Sequence, residues 1–85
     1  MNRYIYIYDN YFDPQSIKVP IHWEVTWVNK GEVIHNVTGD WGDSWDLQPG
    51  ASWQVTFNEG VGKTFWYYDE NYQGMEGNVV VTKRV

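Results

Sequence analysis

The 85-residue chain contains no cysteine. That excludes a disulfide framework, a thiolate metal site and a cysteine nucleophile. Cationic side chains are also scarce, with six Lys and Arg against eleven Asp and Glu, for a formal charge of −5. A nucleic-acid binder needs a cationic footprint to displace counterions, and an anionic membrane surface selects for the same feature, so neither partner is expected. No apolar run approaches the ~20 residues of a membrane-spanning helix. Arg3 opens a strand-like stretch at once, and no signal peptide of the basic-then-apolar kind is expected in this chain. At this length residues 1–85 read as one small domain, too short for a dinucleotide-binding enzyme or an α/β barrel.

Aromatic side chains are abundant. Six Trp, seven Tyr and three Phe make up 19% of the residues. They supply core volume that a chain this small, with no disulfide to brace it, otherwise lacks. Their spacing sets the fold class. Alternation with period 2 recurs along the chain, and no window carries the 3.6-residue repeat of an amphipathic helix. Tyr4, Tyr6 and Tyr8 alternate with Arg3, Ile5 and Ile7 until Asp9-Asn10 and Asp13-Pro14 break the run. Ser16–Val19 is a short strand ended by Pro20. Trp23, Val25 and Trp27 alternate up to the Asn29-Lys30-Gly31 turn, and Ile34–Thr38 reads as a further strand. After Gln48-Pro49-Gly50 the alternation resumes at Trp53, Val55 and Phe57, then at Phe65 and Tyr67, and Asn78–Thr82 closes the series. Seven to eight short strands separated by turn signals predict an all-β sandwich or barrel.

Six ordered pieces resemble a known family. They are Tyr11-Phe12-Asp13-Pro14 with Ile17 and Val19; Val25–Asn29; His35-Asn36-Val37; Leu47–Ser52; Phe65–Tyr68; and Gly74-Met75-Glu76-Gly77 with Val79–Val81. Together they resemble the cupredoxins, the plastocyanin- and amicyanin-like small blue-copper electron carriers. The resemblance implies a Greek-key β-sandwich and, in the family, a copper ion held by two histidines, one thiolate and a distant methionine sulfur. It also implies an exported protein. His35 stands at the first histidine and Met75 at the axial methionine. The loop between departs from the pattern. With the register pinned on Met75-Glu76-Gly77, Asp69 stands at the cysteine and Tyr72 at the second histidine. A second register, counted from Gly62, puts Tyr68 and Asn71 there instead. The first is preferred, because Phe65, Tyr67 and Asp69 then share one face. Neither register restores a thiolate, so no blue-copper centre forms and no cofactor of that kind is expected.

Two readings of the pocket follow. In the first, His35 hydrogen-bonds across the vacated site to Asp69 or Tyr72, Met75 fills core space, and the sandwich is a non-redox binding or structural module. In the alternative, His35, Asp69, Tyr72 and Met75 form an altered, non-blue metal site, compatible with weak copper binding; imidazole with carboxylate also suits Zn(II) or Fe. His22 is a spare ligand only. The first reading is preferred.

The remaining chemistry-bearing residues point away from catalysis. Ser16, Ser44 and Ser52 lack a His-plus-acid setting, and neighbouring Asp69 and Glu70 point to opposite faces of a strand. Asp40, Asp43 and Asp46 lack the alternating spacing of a calcium loop. No enzymatic activity is expected. Asn36-Val37-Thr38 matches a glycosylation acceptor. Trp41 and Trp45 in the Gly/Asp-rich stretch, with Trp66 and Tyr68, are the candidate partner surface, where aromatic rings beside carboxylates suit a protein or carbohydrate. The chain is expected to be monomeric unless its aromatic surface pairs.

Overall fold

The structure is a computed structural model and describes residues 1–83. Nine strands occur in it: β1 (Asn2–Ile7), β2 (Phe12–Asp13), β3 (Ser16–Pro20), β4 (Glu24–Asn29), β5 (Thr38–Gly39), β6 (Gly42–Asp43), β7 (Ser52–Thr56), β8 (Thr64–Tyr68) and β9 (Glu76–Thr82). They form a four-stranded sheet in the order β2-β1-β4-β7 and a five-stranded sheet in the order β3-β9-β8-β5-β6. Among the described residues no helix is long and apolar enough to cross a membrane.

The alternation in the sequence sorts residues onto the two faces of each sheet. Ile5 and Ile7 are fully buried while Tyr4 is exposed. On β9, Gly77, Val79 and Val81 point inward between partly exposed Asn78, Val80 and Thr82. Trp27, Val25 and the two isoleucines meet Tyr67, Val79, Val81 and Val19 from the other sheet to form the core. Aromatic edges fill its middle: Trp27 contacts Tyr67 edge-on at 5.3 Å between centroids, and Phe12 contacts Tyr67 at 4.8 Å. On the outer face of β1, Tyr4 stacks on Tyr6 at 6.4 Å, with the Lys30 ammonium over Tyr6 at 5.5 Å, while Tyr8 beyond the strand stacks on Tyr11 at 5.1 Å.

Two local expectations need correction. The count is nine strands, not seven or eight, because three pairings are only two residues long. Ile34–Thr38 is not a continuous strand. His35 makes an isolated bridge to Leu47, and regular pairing begins only at Thr38. Side chains intercept the ladder in between: the Val37 amide donates to Ser44 Oγ at 2.8 Å, and Asn36 Oδ1 accepts the Glu70 amide at 2.9 Å. Such local bonds compete directly with sheet pairing. They also bury Asn36, which is 7% exposed, so the acceptor asparagine is not presented on the surface of the folded chain.

Candidate functional site

Three segments converge at one end of the sandwich. The bridge to Leu47 fixes the backbone of His35 by bonds of 3.1 and 2.8 Å in the two directions. Asn29 braces the same loop from beneath, donating to the Val33 and Leu47 carbonyls at 2.9 and 2.8 Å. The chain leaving β8 supplies Asp69, whose side chain turns inward after Tyr67, as period-2 alternation requires. The loop that follows closes on itself: the Asp69 amide donates to the Met75 carbonyl, and the Met75 amide to the Tyr72 carbonyl. The third segment is the turn after β1, which brings in Asp9.

His35 is completely buried, and both ring nitrogens are engaged. Nδ1 lies 2.6 Å from Asp69 Oδ2, and Nε2 lies 2.9 Å from Asp9 Oδ1. The other Asp69 oxygen accepts the Asn71 amide at 2.9 Å, and Asp9 also accepts the Glu32 amide at 3.0 Å. An ionised carboxylate can only accept, and with both carboxyls in that form the imidazole donates to each. The result is a carboxylate–imidazole–carboxylate clasp that ties three segments together. Asp69 is 2% exposed, whereas the Asp9 side chain is 43% exposed, so one end of the clasp is dry and the other is wet.

Asp9 was absent from the residues singled out in the sequence, where it reads as a strand breaker. Its position follows from the parallel pairing of β1 with β4, in which Ile7 stands opposite Asn29. Two residues further on, Asp9 faces Gly31, and the match becomes legible only once those strands are known to be neighbours. Gly31 is required there: a Cβ would collide with Asp9 Oδ1 and lie 3.2 Å from His35 Nε2.

The hydrogen bond from His35 holds the Asp9 carboxyl below its ordinary value; desolvation opposes this, and the Glu32 and Val33 amides reinforce it. A carboxyl lowered on folding stabilises the native state above its unfolded value and loses that contribution as pH falls through the folded one. Urea midpoints are therefore expected to decline below about pH 4, and Asp9→Asn is expected to flatten that acid limb. A series of urea titrations between pH 2 and 6 checks this; an unchanged limb would remove Asp9 from the clasp.

The structure brings the side chains of His35 and Asp69 and the Tyr72 ring together, and ties the Met75 backbone to Asp69 and Tyr72. The Tyr72 ring lies 5.0 Å from the imidazole, and Met75 is buried at 4% exposure. Tyr68 and Asn71 of the second register are both exposed; Tyr68 points away on the outer face of β8, and Asn71 contributes its amide to Asp69. A metal bound by imidazole and carboxylate takes each atom at about 2.0–2.2 Å, which holds the two donors roughly 3 Å or more apart. The 2.6 Å gap between His35 and Asp69 has room for a proton. Among the described residues no group of three or more His, Cys, Asp or Glu side chains is arranged to hold a metal ion. His22 is exposed and lies 3.2 Å from Asn58 Oδ1 through Nδ1. With no cysteine in the chain, these residues cannot reproduce a thiolate-containing blue-copper centre.

The partner surface needs one correction. Trp45, Trp66 and Tyr68 are exposed at 66%, 56% and 50%, but Trp41 is turned into the molecule. It packs against Trp27 at 6.1 Å and edge-on against Phe57 at 5.6 Å. Gly39 makes this possible: a Cβ there would fall 2.5–2.9 Å from the Trp41 ring atoms. Burying the indole against four aromatic neighbours outweighs exposure on the loop.

No protein-family model matches the chain, and no curated protein sequence does. Solved structures match along nearly its whole length. A purple cupredoxin from Nitrosopumilus maritimus superposes with a TM-score of 0.85 at 22% identity, covering 93% of this chain and 98% of that one. A reduced tryptophan-to-tyrosine variant of amicyanin gives 0.83 at 23%, covering 93% and 80%. A Cu(I) form of a methionine-to-alanine amicyanin variant gives 0.81 at 25%, covering 92% and 79%. The chain has the cupredoxin fold. What it carries at the metal end of that fold is a proton-linked clasp with no thiolate.

Proposed function

We propose that this chain is a non-redox binding or structural module that uses the cupredoxin fold as a scaffold. One observation carries the reading: both nitrogens of the buried His35 are bonded to carboxylates. An imidazole that donates twice has no lone pair to give to a metal. Copper ligation would require displacing a carboxylate and a proton from a dry site, without the soft thiolate that favours copper. The outer face of β8 is the surface we assign to partner contact. Trp66 and Tyr68 are exposed there, Tyr68 stands across from Glu76 on β9 and Thr38 on β5, and Glu70 bonds Thr38 at 2.9 Å. Rigid aromatic rings flanked by carboxylates suit a protein or carbohydrate partner, and the role involves no catalysis.

Titration with Cu(II) and Cu(I), followed by calorimetry, absorption and spin resonance, tests the reading. The His22→Gln background leaves His35 as the only imidazole. No 1:1 complex tighter than about micromolar is expected, and added copper is expected to leave the unfolding midpoint unchanged. A sub-micromolar 1:1 complex with one imidazole nitrogen coupled to the metal would replace this reading with the altered, non-blue site at His35, Asp69, Tyr72 and Met75.

A further inference from the structure

Four strands end the two sheets, and three of them are guarded; the short β2 and β5 also leave residues 2–5 of β1, which include Arg3, and residues 64–66 of β8, which follow Lys63, uncovered. β2 is two residues long and runs into Pro14, β3 carries Lys18 and ends at Pro20, and β6 is two residues long with Asp43. Short length, charge and proline are the usual devices that stop a sheet edge from pairing with another chain. β7 has none of them. Its five residues, Ser52-Trp53-Gln54-Val55-Thr56, contain no charge, proline or glycine. Its open side can be read from the ladder. The Asn29 amide donates to the Ala51 carbonyl and the Phe57 amide to the Trp23 carbonyl. With Val25 opposite Val55 and Trp27 opposite Trp53, the antiparallel alternation makes the odd-numbered residues of β7 the ones bonded to β4. The amides and carbonyls of Ser52, Gln54 and Thr56 therefore point outward, unused by the sheet.

We infer that β7 is a self-association edge, and that its occupant is β7 of a second copy of this chain in antiparallel pairing. The strand is complementary to itself. A two-fold axis at Gln54 sets Gln54 opposite Gln54 and Ser52 opposite Thr56 of the second copy, so all three outward-facing residues meet outward-facing residues. About six backbone hydrogen bonds form, two per bonded pair. On the core side, half-buried Trp53 and Val55 fall opposite Val55 and Trp53 of the second copy, an aromatic–β-branched pair on each side of the axis. Each copy carries a charge of −5, and β7 is a neutral strip on which two copies meet with no like charges opposed within the pairing. The product is one continuous eight-stranded sheet with the partner face of β8 left free. This replaces the monomer expected from the sequence and is independent of what the His35 end binds.

Sedimentation velocity from about 5 μM to 1 mM tests it. The wild-type mass is expected to rise from 10.1 kDa toward twice that value. Gln54→Lys places like charges across the axis, and Gln54→Pro removes an outward N–H that the chain's own sheet does not use. Each is expected to weaken the dimer at least tenfold with an unchanged near-ultraviolet circular dichroism spectrum. Amide exchange on the wild type provides a test that needs no variant: Ser52, Gln54 and Thr56 amides are expected to slow with protein concentration while surface amides elsewhere do not. A monomer throughout the range would overturn the inference, as would a dimer that persists in both variants, or one whose exchange protection maps to Trp66 and Tyr68.

Discussion

Replacing His35 by alanine is expected to cost about 3–5 kcal/mol of folding stability, the penalty of stranding a buried charge. The loss falls mainly on Asp69, which is 2% exposed and keeps only the Asn71 amide as a partner once the imidazole is gone. Asp9 is expected to suffer less, because its exposed side chain can rehydrate. For an 85-residue domain the whole stability is of order 4–13 kcal/mol, so the variant sits near the threshold of folding. A double-mutant cycle with Asp69→Ala separates the pair from the cavity. Removing both partners is expected to be milder than the sum of the single changes, by about 0.5–3 kcal/mol. Urea unfolding followed by tryptophan fluorescence reads all four proteins. A His35→Ala cost under about 1 kcal/mol would mean that Asp69 does not depend on the ring.

Trp27→Ala is expected to cost a similar amount, about 3–5 kcal/mol, for a different reason. Trp27 is fully buried between Trp41 at 6.1 Å, Trp53 at 5.6 Å and Tyr67 at 5.3 Å. Its removal leaves a cavity lined by rigid rings, which relax into it poorly. The indole N–H contributes nothing to offset this, since Trp27 Nε1, like Trp41 Nε1 and Tyr67 Oη, has no hydrogen-bond partner among the described residues. Burial drives the Tyr67 phenol well above its usual range; the nearby Trp27 indole acts in the opposite direction, though the two make no hydrogen bond by geometry. Trp27→Phe therefore tests the account from the other side. It keeps a ring, loses an unsatisfied N–H, and is expected to retain most of the stability. If Trp27→Phe were as damaging as Trp27→Ala, the indole N–H would have a partner that the packing does not show.

Period-2 alternation made the sandwich legible. Ile5 and Ile7, Val79 and Val81, and the Phe65–Tyr67–Asp69 face each fall where alternation puts them, because half-buried strands leave little freedom in which face turns inward. The convergence of His35 with Asp69 was legible only through the resemblance, which set both at ligand positions of the family; alternation served to choose between the two loop registers. Asp9 was hidden because parallel pairing of β1 with β4 is a long-range fact that no local pattern encodes. Trp41 was misplaced because its inward turn depends on a missing Cβ at Gly39, a contact between side chain and backbone and not a property of the Gly/Asp-rich stretch. Ile34–Thr38 carries strand-forming residues, but Asn36 and Ser44 take up its backbone bonds. In each case a tertiary contact overrode a local preference.

The central claim is that His35 is closed at both nitrogens by Asp9 and Asp69. A long-range proton–nitrogen correlation spectrum of the histidine rings measures this directly. The account predicts that both ring nitrogens of His35 carry hydrogen, that these hydrogens exchange slowly because the ring is buried, and that Asp9→Asn disturbs Nε2 more than Nδ1. A spectrum showing a bare, lone-pair-bearing nitrogen on His35 would contradict it and would reopen the site to a metal ion.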